Sequence, residues 1–358
     1  MTAAAGFLGP LLARGVGLLL PLAVGAAGPP PAPAEDETGP PALRRLEFVA
    51  RHMGTLFRIV LFAPDEESAR TAATAAFARV GALDRLLSDY NPESELRRLE
   101  QQPAGTAVAV SAELFAVLER SQRLAAASGG AFDVTAGPIV RLWREVRRTG
   151  QPPTDRDRAD ALRRTGYTKL ELNPVHRTVT LRAAGMQFDL GGIAKGYAAD
   201  EALAVLARLG LPHAMVAAGG DLALGDAPPG TAGWKVELAP FGRSASDALT
   251  VVVANAGVST SGDVEQFVEI AGTRYSHVVD PRTALGLTAP IAVTIIAPEA
   301  TLADGLATAC SVLAAGADEQ LAACLDPAAR AILHRRGPDG RVRRETIGAG
   351  PPGLRSIL

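Results

Sequence analysis

Phe188-Asp189-Leu190-Gly191-Gly192-Ile193-Ala194-Lys195-Gly196-Tyr197-Ala198-Ala199-Asp200 is the stretch on which the fold of this chain turns. Its opening reads as a strand that ends at Asp189. Two glycines then let the backbone approach a neighbour closely, and a helix follows from about Gly196 to Leu209, ended by Gly210 and Pro212. Strand, glycine turn and helix together present backbone N–H groups and a lysine to an anion, as phosphate-binding loops do. The spacing matches neither GxGxxG nor GxxxxGK[ST]. A plain tight turn with Lys195 in solvent is the other reading.

On both sides of this stretch, strands and helices are interleaved. Phe48 to Phe62 holds the β-rich run FRIVLF at 57–62, which Pro64 ends. Asp65 to Leu87 carries apolar residues at helical spacing and stops at Ser88-Asp89-Tyr90-Asn91-Pro92. Ser111 to Ser128 is a second helix, closed by Gly129-Gly130. Short strands with Gly, Asn and Pro turns fill 167–190, 214–224, 233–239 and 249–296, and a last helix runs from Thr301 to about Ala315. No fixed-period repeat and no break after Leu43 is visible, so one α+β body is expected over 43–350.

Composition narrows the class. The 358 residues are 47% hydrophobic and 21% charged, enough apolar material for a core and too much for wholesale disorder. With 36 Lys and Arg against 38 Asp and Glu, there is no general basic footprint for nucleic acid. The two cysteines, Cys310 and Cys324, form neither a disulfide scaffold nor a metal-binding spacing.

The N-terminus reads as a targeting segment. Gly15 to Gly28 is an apolar run behind Arg14, and fourteen residues at about 1.5 Å each reach only about 21 Å, short of a hydrocarbon core of about 30 Å. Residues 1–28 therefore read as a signal peptide, with Gly25, Ala26 and Ala27 at the cleavage site, or as an N-terminal anchor. Residues 29–42 form a Pro-rich linker. An exported body is expected in the periplasm or on the outer face of the inner membrane, touching a membrane through this segment.

Three further clusters carry chemistry. Asp304 and Thr308, four apart, share one helical face and suit a hard cation such as Mg²⁺; alternatively, Thr301 and Asp304 form a capping box. His277, in Tyr275-Ser276-His277-Val278-Val279-Asp280-Pro281-Arg282-Thr283, is either a general base or a hydrogen-bonded structural histidine. Gly129 to Pro138, GGAFDVTAGP, is a binding loop or a helix-to-helix turn.

These stretches occur in one order with Met53-Gly54-Thr55, Ser88-Asp89-Tyr90-Asn91-Pro92-Glu93-Ser94-Glu95-Leu96, Gly219-Gly220-Asp221, Ser259-Thr260-Ser261-Gly262-Asp263 and Ala303-Asp304-Gly305-Leu306-Ala307-Thr308. The series resembles the ApbE family of FAD:protein FMN transferases over about residues 45–335. The resemblance implies an α+β, T-fold-like architecture with mixed and antiparallel sheets packed with helices. It implies a Mg²⁺-dependent enzyme that splits FAD, releases AMP and attaches FMN to a threonine of an acceptor flavoprotein. By the same resemblance Met53, Tyr90, Ala131, Phe132, Asp133, Asp189 and Lys195 hold FAD. Gly192 and Ala307 would offer backbone contacts to the metal, Asp304 and Thr308 its side-chain ligands, and His277 would activate the acceptor threonine. Two positions depart from the family pattern: Ala284-Leu285-Gly286 replaces a Gly-x-Pro, pointing to a longer or displaced loop, and Gly305 replaces an alanine. An FAD pyrophosphatase yielding FMN and AMP, or a non-catalytic flavin-binding protein, are the alternatives. The chain has no D-x-x-[ST]-G-A-[ST] acceptor signature of its own.

Overall fold

The run FRIVLF is the second arm of a hairpin, and its alternation sets the layers. In the computed structural model, which describes residues 42–239, 241, 248–262, 267–316, 318–337 and 339–357, β1 (Arg44–His52) pairs antiparallel with β2 (Thr55–Ala63). The turn residues Met53 and Gly54 have φ of 48° and 69°, the positive values that a tight hairpin turn demands at both central positions. Glycine adopts them freely. Met53 is held there by its N–H, which donates to Asp84 Oδ2 at 2.8 Å. The expected signal or anchor segment, nearly all of the Pro-rich linker, and Asp263 lie outside the described residues.

The hairpin opens an eight-stranded sheet that continues through β3 (Ala214–Ala218), β4 (Asp221–Leu224), β5 (Ala256–Gly262), β6 (Ile291–Ala297), β7 (Arg330–Arg336) and β8 (Val342–Ile347), in chain order. Every neighbouring pair is antiparallel. Phe57, Ile59 and Leu61 face a helical layer, whereas Val60 faces a three-stranded sheet containing Trp234–Leu238 and Leu249–Val253. β6 is covered on both sides, and all seven of its residues are buried. The fold is α+β, as expected, with Ala42–Leu358 forming one compact unit.

The helical layer contains α1 (Glu66–Leu87), capped by Asp65 accepting from Ser68 N–H, and α2 (Ala112–Ala127), capped by Ser111 accepting from Leu114 N–H. Between these and the glycine turn lies α3 (Gly137–Thr149), which the sequence reading did not anticipate. GGAFDVTAGP is the helix-to-helix turn that one reading offered, and Pro138 lies in the first turn of the helix it leads into, where a missing N–H costs nothing. α4 (Ala194–Arg208) and α5 (Ala300–Leu313) begin two residues and one residue earlier than expected. No strand ends at Asp189: the backbone there makes one isolated parallel bridge, Gln187 to Ala136. The departure at Ala284 gives no long loop. Residues 281–284 simply connect Val279–Asp280 to Leu285–Gly286, with Ala284 at φ 57° and its carbonyl accepting from the Trp143 indole N–H at 2.9 Å.

Candidate active site

α4 and α5 cross so closely that each caps the other. Gly196, in the first turn of α4, lies against Ala300 of α5: a Cβ there would be 2.3 Å from the Ala300 carbonyl oxygen and 2.9 Å from Asp304 Cβ. Only a residue without a Cβ fits. From α4, Asp200 accepts the N–H groups of Ala300 and Thr301 at 2.9 and 2.8 Å and the Thr301 hydroxyl at 2.5 Å. From α5, Asp304 Oδ2 accepts Gly196 N–H at 3.1 Å. The capping box expected from Thr301 and Asp304 does not form, because both side chains serve the crossing instead. α5 has no side-chain cap of its own. Two of the amides that the phosphate-loop reading would aim at an anion are taken up inside the protein: Ala194 N–H donates to Leu190 O and Gly196 N–H to Asp304.

Lys195 is not in solvent. Its ammonium donates to Asp221 Oδ2 at 2.6 Å and to Asp304 Oδ2 at 3.4 Å. Burial works against its charge, but the two carboxylates outweigh burial and hold its pKa above the ordinary lysine value. Asp304 is nearly fully buried, and burial, joined by the nearby Asp221 charge, pushes its carboxyl up to about 7 against the opposing pull of Lys195. Asp221 Oδ1 accepts the Ser259 hydroxyl at 2.6 Å. Two carboxylates against one ammonium leave this cluster short of positive charge. Asp221 was visible in the sequence only as part of a Gly-Gly-Asp turn; its side chain is brought to Lys195 by β4, which the sequence could not pair with α4.

The cluster forms part of the wall of a cavity of about 510 Å³. Tyr90, Ala131, Phe132, Asp133, Asp189, Gly192, Lys195, His277, Asp304 and Thr308, all singled out in the sequence, line it. Met53, in the hairpin turn, and Ala307, fully buried with its carbonyl accepting the Ser311 hydroxyl at 2.8 Å, do not. Asp133 turns its carboxylate to Thr135 and to the Tyr167 N–H, and burial raises its pKa despite those bonds. Asp189 accepts Gly191 N–H at 2.8 Å through Oδ1 and Arg144 at 2.8 Å through Oδ2; burial raises its pKa despite that arginine. Arg144 also donates to Asp89 and lies 4.8 Å from the centre of the Tyr90 ring. Sequence reading missed Arg144 and its neighbour Arg147 because it missed α3, which carries both.

Gly192, Asp304 and Thr308 fit a hard cation. A Cβ on Gly192 would lie 2.7 Å from Thr308 Oγ1, so this loop touches α5 at the threonine itself. Asp304 Oδ1 and the Thr308 hydroxyl make no hydrogen bond among the described residues, and both belong to cavity-lining side chains. No group of three or more His, Cys, Asp or Glu side chains able to hold a metal occurs among the described residues. A cation here would draw on carboxylate, hydroxyl and carbonyl oxygen, the donors that suit Mg²⁺ rather than zinc.

Sheet, crossed helices and charged cavity define an α+β protein with a polar cavity at the helix crossing. The chain belongs to the ApbE family, whose model matches residues 53–333. It is similar to the FAD:protein FMN transferase of Treponema pallidum, 35% identical over 278 residues that cover 73% of this chain and 76% of that protein. It is also similar to that of Klebsiella pneumoniae, 32% identical over 292 residues covering 76% and 80%. Among solved structures, the flavin transferase ApbE from Vibrio cholerae superposes with a TM-score of 0.76 at 26% identity, covering 85% of this chain and 97% of that one. The apo flavinyl transferase ApbE of Pseudomonas stutzeri gives 0.75 at 28% identity, covering 86% and 95%.

Proposed function

We propose that this protein is a Mg²⁺-dependent FAD:protein FMN transferase, which moves FMN from FAD to a threonine of an acceptor flavoprotein and releases AMP. One observation carries the reading: Gly192, Asp304 and Thr308 meet at the wall of a cavity that His277 also lines. Relatives bearing that enzyme name support it. Lys195 and the Gly196 N–H hold Asp304 Oδ2, leaving Oδ1 for the metal. Bound there, Mg²⁺ would neutralise the pyrophosphate charge that otherwise repels a nucleophile. His277 takes the proton of the acceptor threonine as its oxygen bonds to the FMN phosphorus. The phosphorus–oxygen bond to the adenylate breaks, and AMP leaves with the bridging oxygen. Catalysis is then mainly positioning and electrostatics.

The apolar run of residues 15–28 supports export to the periplasm or the outer face of the inner membrane. The test of function is incubation with FAD, Mg²⁺ and an acceptor carrying a threonine flavinylation motif. A fluorescent acceptor band that survives denaturation, absent with chelator or with a Thr→Ala acceptor, is expected. FAD consumed at an equal rate without acceptor, with no labelled protein, would show a pyrophosphatase instead.

A further inference from the structure

α3 presents one stripe to the cavity. Ala136, just before its first turn, then Val140, Arg144 and Arg147 follow at spacings of four, four and three, and all four line the cavity. The two arginines on this stripe are in unlike states. Arg144 is satisfied, with Asp89 and Asp189 each at 2.8 Å. Arg147 is half-buried and has no carboxylate partner among the described residues. Burial and the neighbouring Arg144 charge both act against its own, so its pKa is lowered from the ordinary arginine value. A guanidinium keeps its proton regardless, and an unpaired, half-buried one beside another cation calls for an anion.

The two charged sites of the cavity differ. Around Asp304 and Asp221 carboxylates outnumber ammonium, so a phosphate can approach only through a cation. Arg144 and Arg147 bring two arginines to the cavity wall, and Arg147 has donors to spare. We infer that Arg147, with Arg144 beside it, forms a second anion subsite that takes a nucleotide phosphate directly, without metal. Tyr90 supports a nucleotide rather than a bare ion: its ring is pinned on Arg144 and is 76% exposed, leaving surface for a base or flavin ring to stack on. Arg144 acts as a positioning residue for Tyr90 and Asp189, whereas Arg147 is the group free to bind. This inference rests on the proposed use of a flavin dinucleotide, and the phosphate it takes belongs to either the FMN or the AMP half.

The test is equilibrium binding of FAD, FMN and AMP to the full protein in excess chelator, at low and high salt, for wild type, Arg147→Gln and Arg147→Lys. Wild type should retain salt-sensitive FAD binding without metal. Arg147→Gln should weaken it about tenfold or more, the worth of a charge-assisted hydrogen bond, and should flatten the salt dependence. Arg147→Lys should recover part of the loss. Whichever of FMN or AMP weakens in parallel owns the phosphate. The melting temperature should not move, since Arg147 holds no other residue. FAD binding to Arg147→Gln equal to wild type at both salts would overturn the subsite while leaving the transferase reading intact. No FAD binding to wild type, with or without Mg²⁺, would overturn both.

Discussion

Gly196→Ala isolates the crossing of α4 and α5. In an ordinary helix interior this change stabilises by about 1 kcal/mol, because alanine is the better helix former. Here the new Cβ would fall 2.3 Å from the Ala300 carbonyl oxygen, where ordinary contact begins at 3.4 Å. That oxygen is backbone and cannot swing away, so the helices must part by about 1 Å. Overpacking of this kind costs about 1–3 kcal/mol, and weakening the two trans caps, Asp304 on Gly196 and Asp200 on Ala300 and Thr301, adds about 0.5–2 kcal/mol. Set against the helix gain of about 1 kcal/mol, the net expectation is a loss of about 0.5–4 kcal/mol, or about 1–8 °C in melting temperature at about 2 °C per kcal/mol for a large domain. Asp304 moves with the displaced helix, so Mg²⁺-dependent FAD binding should weaken in the surviving folded protein. Gly305→Ala is the control one helical face away. Its Cβ would meet Leu124 Cδ2 at 2.5 Å, but that is the end of a side chain bordering a second cavity of about 460 Å³. Turning Leu124 costs about 0.5–1.5 kcal/mol and the helix gains about 1, leaving stability close to wild type. Thermal and urea denaturation of both variants decide the matter. A Gly196→Ala protein that melts at or above wild type would refute the close-contact account of the crossing.

Asp304→Asn keeps an oxygen for the Gly196 cap but removes the carboxylate charge. FAD affinity should therefore lose its response to Mg²⁺ with little change in melting temperature; a retained Mg²⁺ response in a titration would clear Asp304 of metal binding. His277→Ala should bind FAD and Mg²⁺ normally yet lose about 10²- to 10⁴-fold in transfer rate, the worth of a general base. Undiminished transfer by a stable variant would remove His277 from the mechanism. Burial pushes the Cys324 thiol up to about 11 and raises Cys310 further above its ordinary value, so at pH 8 only about one Cys324 in a thousand is a thiolate. Native protein should resist iodoacetamide until unfolded, and rapid labelling of either cysteine in the folded state, read by mass spectrometry, would contradict their burial.

The elements whose signals are local are legible along the chain. α1 and α2 could be read from apolar spacing and from caps at Asp65 and Ser111, because a helix start is written in adjacent residues. The order of short motifs pointed to the family and to most residues that line the cavity. The partners come from packing. Thr301 and Asp304 have the spacing of a capping box, yet Thr301 donates to Asp200, a hundred residues away, and Asp304 accepts from Gly196. The Lys195 side chain could have faced solvent until β4 brought Asp221 to 2.6 Å. α3 was hidden because its glycines and prolines read as a turn, and with it Arg144 and Arg147 were lost. Spacing along a chain fixes which side chains share a face. Which face meets which, and so which charges are paired and which left over, depends on how distant segments pack, and no local pattern carries that information.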